Sequence, residues 1–246
     1  MIYFLTFGGP TTEYHNCVDR LCNESLHFGC FDQITGMKET DLKEDFLFWN
    51  IHEKFIIEHD KGYGYWIWKS YIIMKYLQDK MKEDDILLYM DAGSTLNNQG
   101  KLRFIEYIHL LESSKEYGIL SFQMNHLSEI HYTKQILFDY LSTSNNDQLS
   151  GQCMATIIML KKNKHSVFII NEWYRISSLY YLLNDEHNDN NNNNNNNNVK
   201  HRHDQSILSL LVKKYGSIKI EDETFFYPLW EKTGIKYPFW ATRKRK

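Results

Sequence analysis

The residues Tyr89-Met90-Asp91-Ala92-Gly93-Ser94 set an acid directly after the apolar run Ile86–Met90, then a small residue and a glycine. An acid at the carboxyl end of a buried strand opens into the ligand crevice of an α/β sheet. There its oxygens suit a hard cation, and the small residues after it let a diphosphate approach. An ordinary turn draws on the same residue types, because Asp and Gly favour turns on their own account.

Two further groups carry chemistry by type and spacing. His201-Arg202-His203-Asp204-Gln205-Ser206 offers imidazoles for a cation, a guanidinium for a diphosphate and a carboxylate for a reacting carbon, all at the start of an amphipathic helix. Capping by Asp204 or Ser206 is the plain alternative. In Gly62-Tyr63-Gly64-Tyr65-Trp66-Ile67-Trp68-Lys69 the glycines let backbone reach a ligand, a ring stacks on a base or sugar, and Lys69 meets a phosphate. Aromatic core beneath a loop is the competing reading.

The elements that must hold these groups follow from hydrophobic periodicity. Apolar runs at residues 2–7, 31–35, 86–90, 119–123, 154–160 and 218–227 predict strands, and helical spacing predicts helices over 12–28, 42–55, 68–81, 104–117, 133–141, 166–183 and 203–215. The run 86–90 shows no alternation, which marks a strand covered on both faces. Strands alternating with helices at this spacing predict a single α/β domain over 1–246, with a mostly parallel central sheet and helices on both faces. The unbroken asparagine run at 190–198 predicts an Asn-rich disordered loop over 184–200 that interrupts the domain.

Bulk composition narrows the partners. A chain of 246 residues with formal net charge -3 has no global field for nucleic acid or an anionic membrane. No apolar stretch is long enough to span a bilayer, and the first residues lack the charged lead of a signal peptide, so a cytoplasmic protein is expected. Cys17, Cys22, Cys30 and Cys153 form no C-x-x-C pair and read as reduced packing residues. A zinc site from Cys22, His27 and Cys30 matches no standard spacing.

The ordered set of Gly-Tyr-Gly-Tyr-Trp-Ile-Trp-Lys at 62–69, Asp-Ile-Leu-Leu-Tyr-Met-Asp-Ala-Gly at 85–93, Tyr-Thr-Lys at 132–134 and His-Arg-His-Asp-Gln-Ser at 201–206 resembles a family of small glycosyltransferase-like proteins. These have the Rossmann-type GT-A fold and belong to the nucleotide-diphospho-sugar transferase superfamily. The resemblance spans nearly the whole chain. It implies transfer of a sugar from a UDP- or GDP-linked donor to a hydroxyl acceptor on a glycan, a protein or a lipid head group. It also implies a divalent metal, manganese or else magnesium, that bridges the diphosphate to an acid after a central strand.

Asp91, with Ala92 and Gly93, then becomes the diphosphate and metal segment. The chain departs from the family's Asp-x-Asp pattern because Gly93 holds the second acidic position, so His201 or His203 is expected to complete the metal site. Thr6, Phe7 and Gly8 are implied to hold the nucleobase and ribose, and Lys69, Lys134 and Arg243 to counter the diphosphate. Asp204 and Gln205 resemble an Asp-Gln pair that related retaining transferases carry near the reacting sugar, which tilts the expectation towards retention. Two alternatives stand beside this one. They are a catalytically silent nucleotide- or carbohydrate-binding protein of the same fold, and a metal-dependent hydrolase using Asp91, His201, His203 and Asp204.

Overall fold

The computed structural model describes residues 1–186 and 199–245. The chain opens with β1 (Ile2–Gly8), α1 (Thr12–Phe28), β2 (Gln33–Lys38), α2 (Glu39–Glu44) and α3 (Phe46–Glu58). A tight turn α4 (Gly62–Tyr65) leads into α5 (Ile67–Asp79), β3 (Ile86–Met90), β4 (Thr95–Leu96) and α6 (Lys101–Ser113). Next come β5 (Ile119–Ser128), α7 (Glu129–Tyr132), α8 (Gln135–Leu141), α9 (Asn145–Leu149), β6 (Gly151–Cys153) and β7 (Ile157–Lys161). The remainder is α10 (Lys164–Ser177), α11 (Tyr180–Leu183), α12 (Asp204–Lys214), β8 (Ile218–Glu221) and β9 (Phe239–Trp240).

Seven strands form one sheet in the order β2-β1-β3-β7-β5-β6, with β8 paired to β5. β1 pairs parallel with β2 and β3, and β5 parallel with β8, whereas β7 and β6 run against the other five. The expected mostly parallel sheet is therefore present, with two reversed strands that periodicity could not show. A separate two-stranded ribbon, β4 with β9, carries the chain after Asp91 to residues 239–240.

Strand alternation divides the core between the two faces. Tyr3, Leu5, Phe7, Leu87 and Tyr89 point into one cluster with α5, α10 and α12, while Phe4, Ile86, Leu88 and Met90 point into another with α1 and α6. Every residue of β3 is buried, as its unbroken apolar run predicts. Because Asp91 follows Tyr89 by two residues, alternation turns its side chain to the face that α5 and α12 cover.

Several boundaries differ from the periodicity. The helix expected over 42–55 breaks at Asp45, whose carboxylate accepts from the Phe48 N–H and the Tyr71 hydroxyl and so caps a second helix. The strand expected at 31–35 lies instead at Gln33–Lys38, and that expected at 218–227 ends at Glu221. The helix expected over 166–183 is two, α10 and α11.

Of the Asn-rich loop expected over 184–200, residues 187–198 lie outside the described residues. Its flanks are held. Asn184 is buried, Asp185 pairs with Lys61 at 2.9 Å, and the Lys200 N–H donates to the His131 carbonyl. No helix among the described residues is long and apolar enough to cross a membrane. The four cysteines are free, as expected. Cys30 donates to the Phe28 carbonyl and the His27 ring meets the Asn23 carbonyl, and among the described residues neither joins a group that could hold zinc.

Candidate active site

The chain between α3 and α5 bends in an unusual sense. Residues 62–66 all have positive φ, from 52° to 79°, forming one left-handed turn in which Tyr65 N–H donates to Lys61 O and Trp66 N–H to Gly62 O. Only glycine takes this conformation freely, and each of Tyr63, Tyr65 and Trp66 costs about 1–2 kcal/mol to hold there. A side chain at position 62 would strike the Trp66 ring at 2.4 Å. Such strain persists where surrounding packing over-determines it, commonly at functional sites.

This turn launches α5 so that Lys69, in its first turn, points beneath the carboxyl end of β3. A cation near a helix amino terminus is disfavoured by the helix dipole, and Lys69 is only 3% exposed. Two carboxylates compensate. Its Nζ lies 3.0 Å from Asp91 Oδ1 and 2.9 Å from Asp204 Oδ2, and donates to the Ala155 carbonyl at 3.3 Å. The Asp204 contact is a buried ion pair. Asp91 Oδ1 also accepts from the Tyr89 hydroxyl at 2.7 Å.

Asp91 and Asp204, remote in sequence, thus meet across one ammonium. Burial works against charge on Lys69, but the two carboxylates prevail and hold its pKa above the ordinary lysine value. Burial pushes the Asp204 carboxyl up to about 6, against the pull of Lys69.

The loop after Asp91 is fastened from two sides. Arg20 of α1 donates to the carbonyls of Ala92 at 2.7 Å and Ser94 at 3.0 Å, while its partner Glu24 accepts from Leu96 N–H. The Gly93 carbonyl accepts from Lys244 N–H at 2.7 Å and Thr242 Oγ1 at 3.0 Å, which seats Arg243 on this loop. The Arg20–Glu24 staple escaped the sequence reading, although an i,i+4 pair on a helix was its available signal.

The other expected site residues fall as follows. Thr6 is fully buried on the α1 side of β1, and Phe7 packs its ring 4.0 Å from that of Trp68, so neither side chain is offered to a base or ribose. A side chain at Gly8 would meet the Tyr14 carbonyl at 2.7 Å. The Lys134 ammonium lies among the carbonyls of Tyr181, Asn184 and Glu186, where it satisfies a helix end and not a diphosphate. Gln205 is committed at both ends of its amide, donating to Gln152 Oε1 and accepting weakly from Ala155 N–H. Gln152 in turn joins a buried network of Glu129, Thr133, Ser206, Ser209 and Lys213.

The expected metal trio is not assembled. His201 is turned to the Leu182 carbonyl and His203 to that of Leu183, the latter packed on the rings of Tyr65 and Trp66. Burial lowers the pKa of both rings, that of His203 to about 4. Asp91 has one carboxylate oxygen shared by Tyr89 and Lys69, and Gly93 supplies no second acid. Among the described residues no group of three or more His, Cys, Asp or Glu side chains could hold a metal. The donor set therefore does not fit the divalent cation that the resemblance implies.

Arg202 is the guanidinium that the segment 201–206 offers for a diphosphate. It sits half-buried with its guanidinium 4.6 Å over the Tyr132 ring, its N–H bonded to the Tyr132 carbonyl. Arg243 is near enough that its charge contributes to lowering the Arg202 pKa, behind burial as the main cause.

No family profile matches the chain, and no curated protein matches it. Solved structures do. A glycosyltransferase involved in the glycosylation of the major capsid of PBCV-1 superposes with a TM-score of 0.53 at 11% identity, covering 97% of this chain and 90% of that one. Mouse xyloside xylosyltransferase 1 in its apo form gives a TM-score of 0.47 at 7% identity, over 98% of this chain and 97% of that one. The second likeness is too weak to add to the first, which bears on fold alone. The chain therefore has a GT-A-like fold.

Proposed function

We propose that the chain transfers a sugar from a nucleoside-diphosphate donor to a hydroxyl acceptor, at the carboxyl end of β3 where Asp91 and Asp204 share Lys69. The observation that carries this reading is the shared ammonium. It joins the end of a central strand to the start of α12, in the part of an open α/β sheet where ligands bind.

In the reaction, the bond from the anomeric carbon to the diphosphate oxygen breaks with its electron pair leaving on the diphosphate. The acceptor oxygen bonds to that carbon and passes its proton to an oxygen of the departing diphosphate. Positive charge grows on the sugar ring as the first bond breaks. With both carboxylates ionised, the two acids and one ammonium carry one net negative charge, which favours that transition state over the uncharged sugar of the ground state. We assign this role chiefly to Asp204, with Asp91 beside it and Gln205 as a positioning residue. Retention of configuration is the outcome we favour. A divalent cation would supply Lewis-acid charge to the departing diphosphate, but because these residues do not gather to hold one, the reading routes no step through it.

Thermal unfolding in the presence of UDP, GDP and a simple phosphate monoester tests the donor site. One nucleoside diphosphate at ~100 times its Kd is expected to raise Tm by about 5 °C or more. The absence of a shift with either nucleotide contradicts the reading, and hydrolysis of the monoester without nucleotide preference favours the hydrolase. Nucleotide binding without sugar transfer or release would mark a silent binding protein, the reading that Gly93 in place of a second acid supports.

A further inference from the structure

Lys69 already occupies the space between the two site carboxylates, so the countercharge for a diphosphate must come from elsewhere on the chain. Two guanidiniums answer to this. Arg202 lies two residues before Asp204, anchored by its N–H to Tyr132 O and by its face to the Tyr132 ring. Arg243 lies on the Asp91 loop, its Cα 3.4 Å from where a side chain on Gly93 would begin, and its backbone is fixed by the Lys244 and Thr242 bonds to the Gly93 carbonyl.

Among the described residues neither arginine is paired with a carboxylate, although Arg20, Arg103 and Arg175 each are. Arg243 is exposed on the Asp91 loop and Arg202 is half-buried over the Tyr132 ring, so both guanidiniums are open to an incoming anion. A guanidinium's planar fork matches phosphate oxygens better than a lysine does. Glycine at position 93 has a second consequence. It removes the acid that a metal would need, while the Arg243 backbone lies within van der Waals reach of the loop.

Resting on the transferase reading above, we propose that this chain grips the donor diphosphate with Arg202 and Arg243, in place of a divalent cation held by its acids. The leaving diphosphate then meets preorganised guanidiniums while the Asp91–Lys69–Asp204 group faces the sugar. Gly93 belongs to this arrangement and is not a degraded metal motif.

Calorimetric titration of the full chain with UDP and GDP, in EDTA and again in manganese, tests this. The expected result is binding that agrees within about twofold in the two buffers, each unit of agreement read from Kd directly. Arg202→Met and Arg243→Met are each expected to weaken binding by about tenfold, roughly one charge-assisted hydrogen bond, with Arg202→Lys and Arg243→Lys recovering only part of it. Unchanged Tm in the four variants verifies their folding. Binding that vanishes in EDTA and returns with manganese overturns the proposal while leaving the transferase reading intact. Wild-type affinity in both methionine variants also overturns it. Binding of neither nucleotide in either buffer removes the transferase reading and the proposal together.

Discussion

Lys69→Met is expected to destabilise the fold by about 3–5 kcal/mol, the usual cost of removing one partner from a buried ionic group. The neutral side chain fills much of the same space, so the loss comes from charge. It leaves Asp91 and Asp204 facing each other, the second nearly sealed from water. Adding Asp204→Asn is expected to restore part of the stability, because it removes the buried carboxyl that must otherwise take up a proton once its cation is gone. Urea denaturation of the single and double variants measures this. A single variant within ~1 kcal/mol of the wild type would show that Lys69 is not the bond between the two segments.

A comparably large effect is expected from acid. His52 is fully buried, with Nδ1 at 2.9 Å from the Tyr180 hydroxyl and Nε2 at 2.9 Å from the Tyr174 hydroxyl, and burial pushes its pKa down to about 4. In the unfolded chain it titrates near the ordinary value of about 6.5. The unfolded state therefore binds the proton first as pH falls. The cost to the fold is absent above about pH 6.5, grows on acidification and is complete below about pH 4, where it reaches ~3 kcal/mol at 1.36 kcal/mol per pKa unit. His203, also lowered to about 4, adds to it over the same window. Denaturation midpoints at pH 7 and pH 4.5 read the loss, and His52→Phe should flatten the slope. Equal midpoints at the two pH values would mean that these rings are not buried and neutral.

How much of this was legible in the sequence depended on whether a signal was local. The strand Ile86–Met90 was read to the residue because burial on both faces leaves a continuous apolar run. The reversed direction of β7 and β6 was not, since a buried strand looks alike in either sense. Asp91 and Asp204 were singled out by their places beside predicted elements. Lys69 was expected to face a phosphate, whereas it is neutralised by acids that lie 22 and 135 positions onward (91 − 69 and 204 − 69). No window shows a cation which remote acid will claim it. The His-Arg-His segment failed for a related reason. The histidines were chosen as ligands by residue type, but the carbonyls of Leu182 and Leu183 capture their rings.

The measurement that bears most directly on the central claim is turnover of a panel of UDP- and GDP-linked sugars, following release of the nucleoside diphosphate, by wild type and by Asp204→Asn. The account predicts release or transfer with at least one donor, and a fall of about a hundredfold to a thousandfold in kcat for the variant with donor binding kept. No release with any donor, or an Asp204→Asn variant that turns over like the wild type, would contradict it.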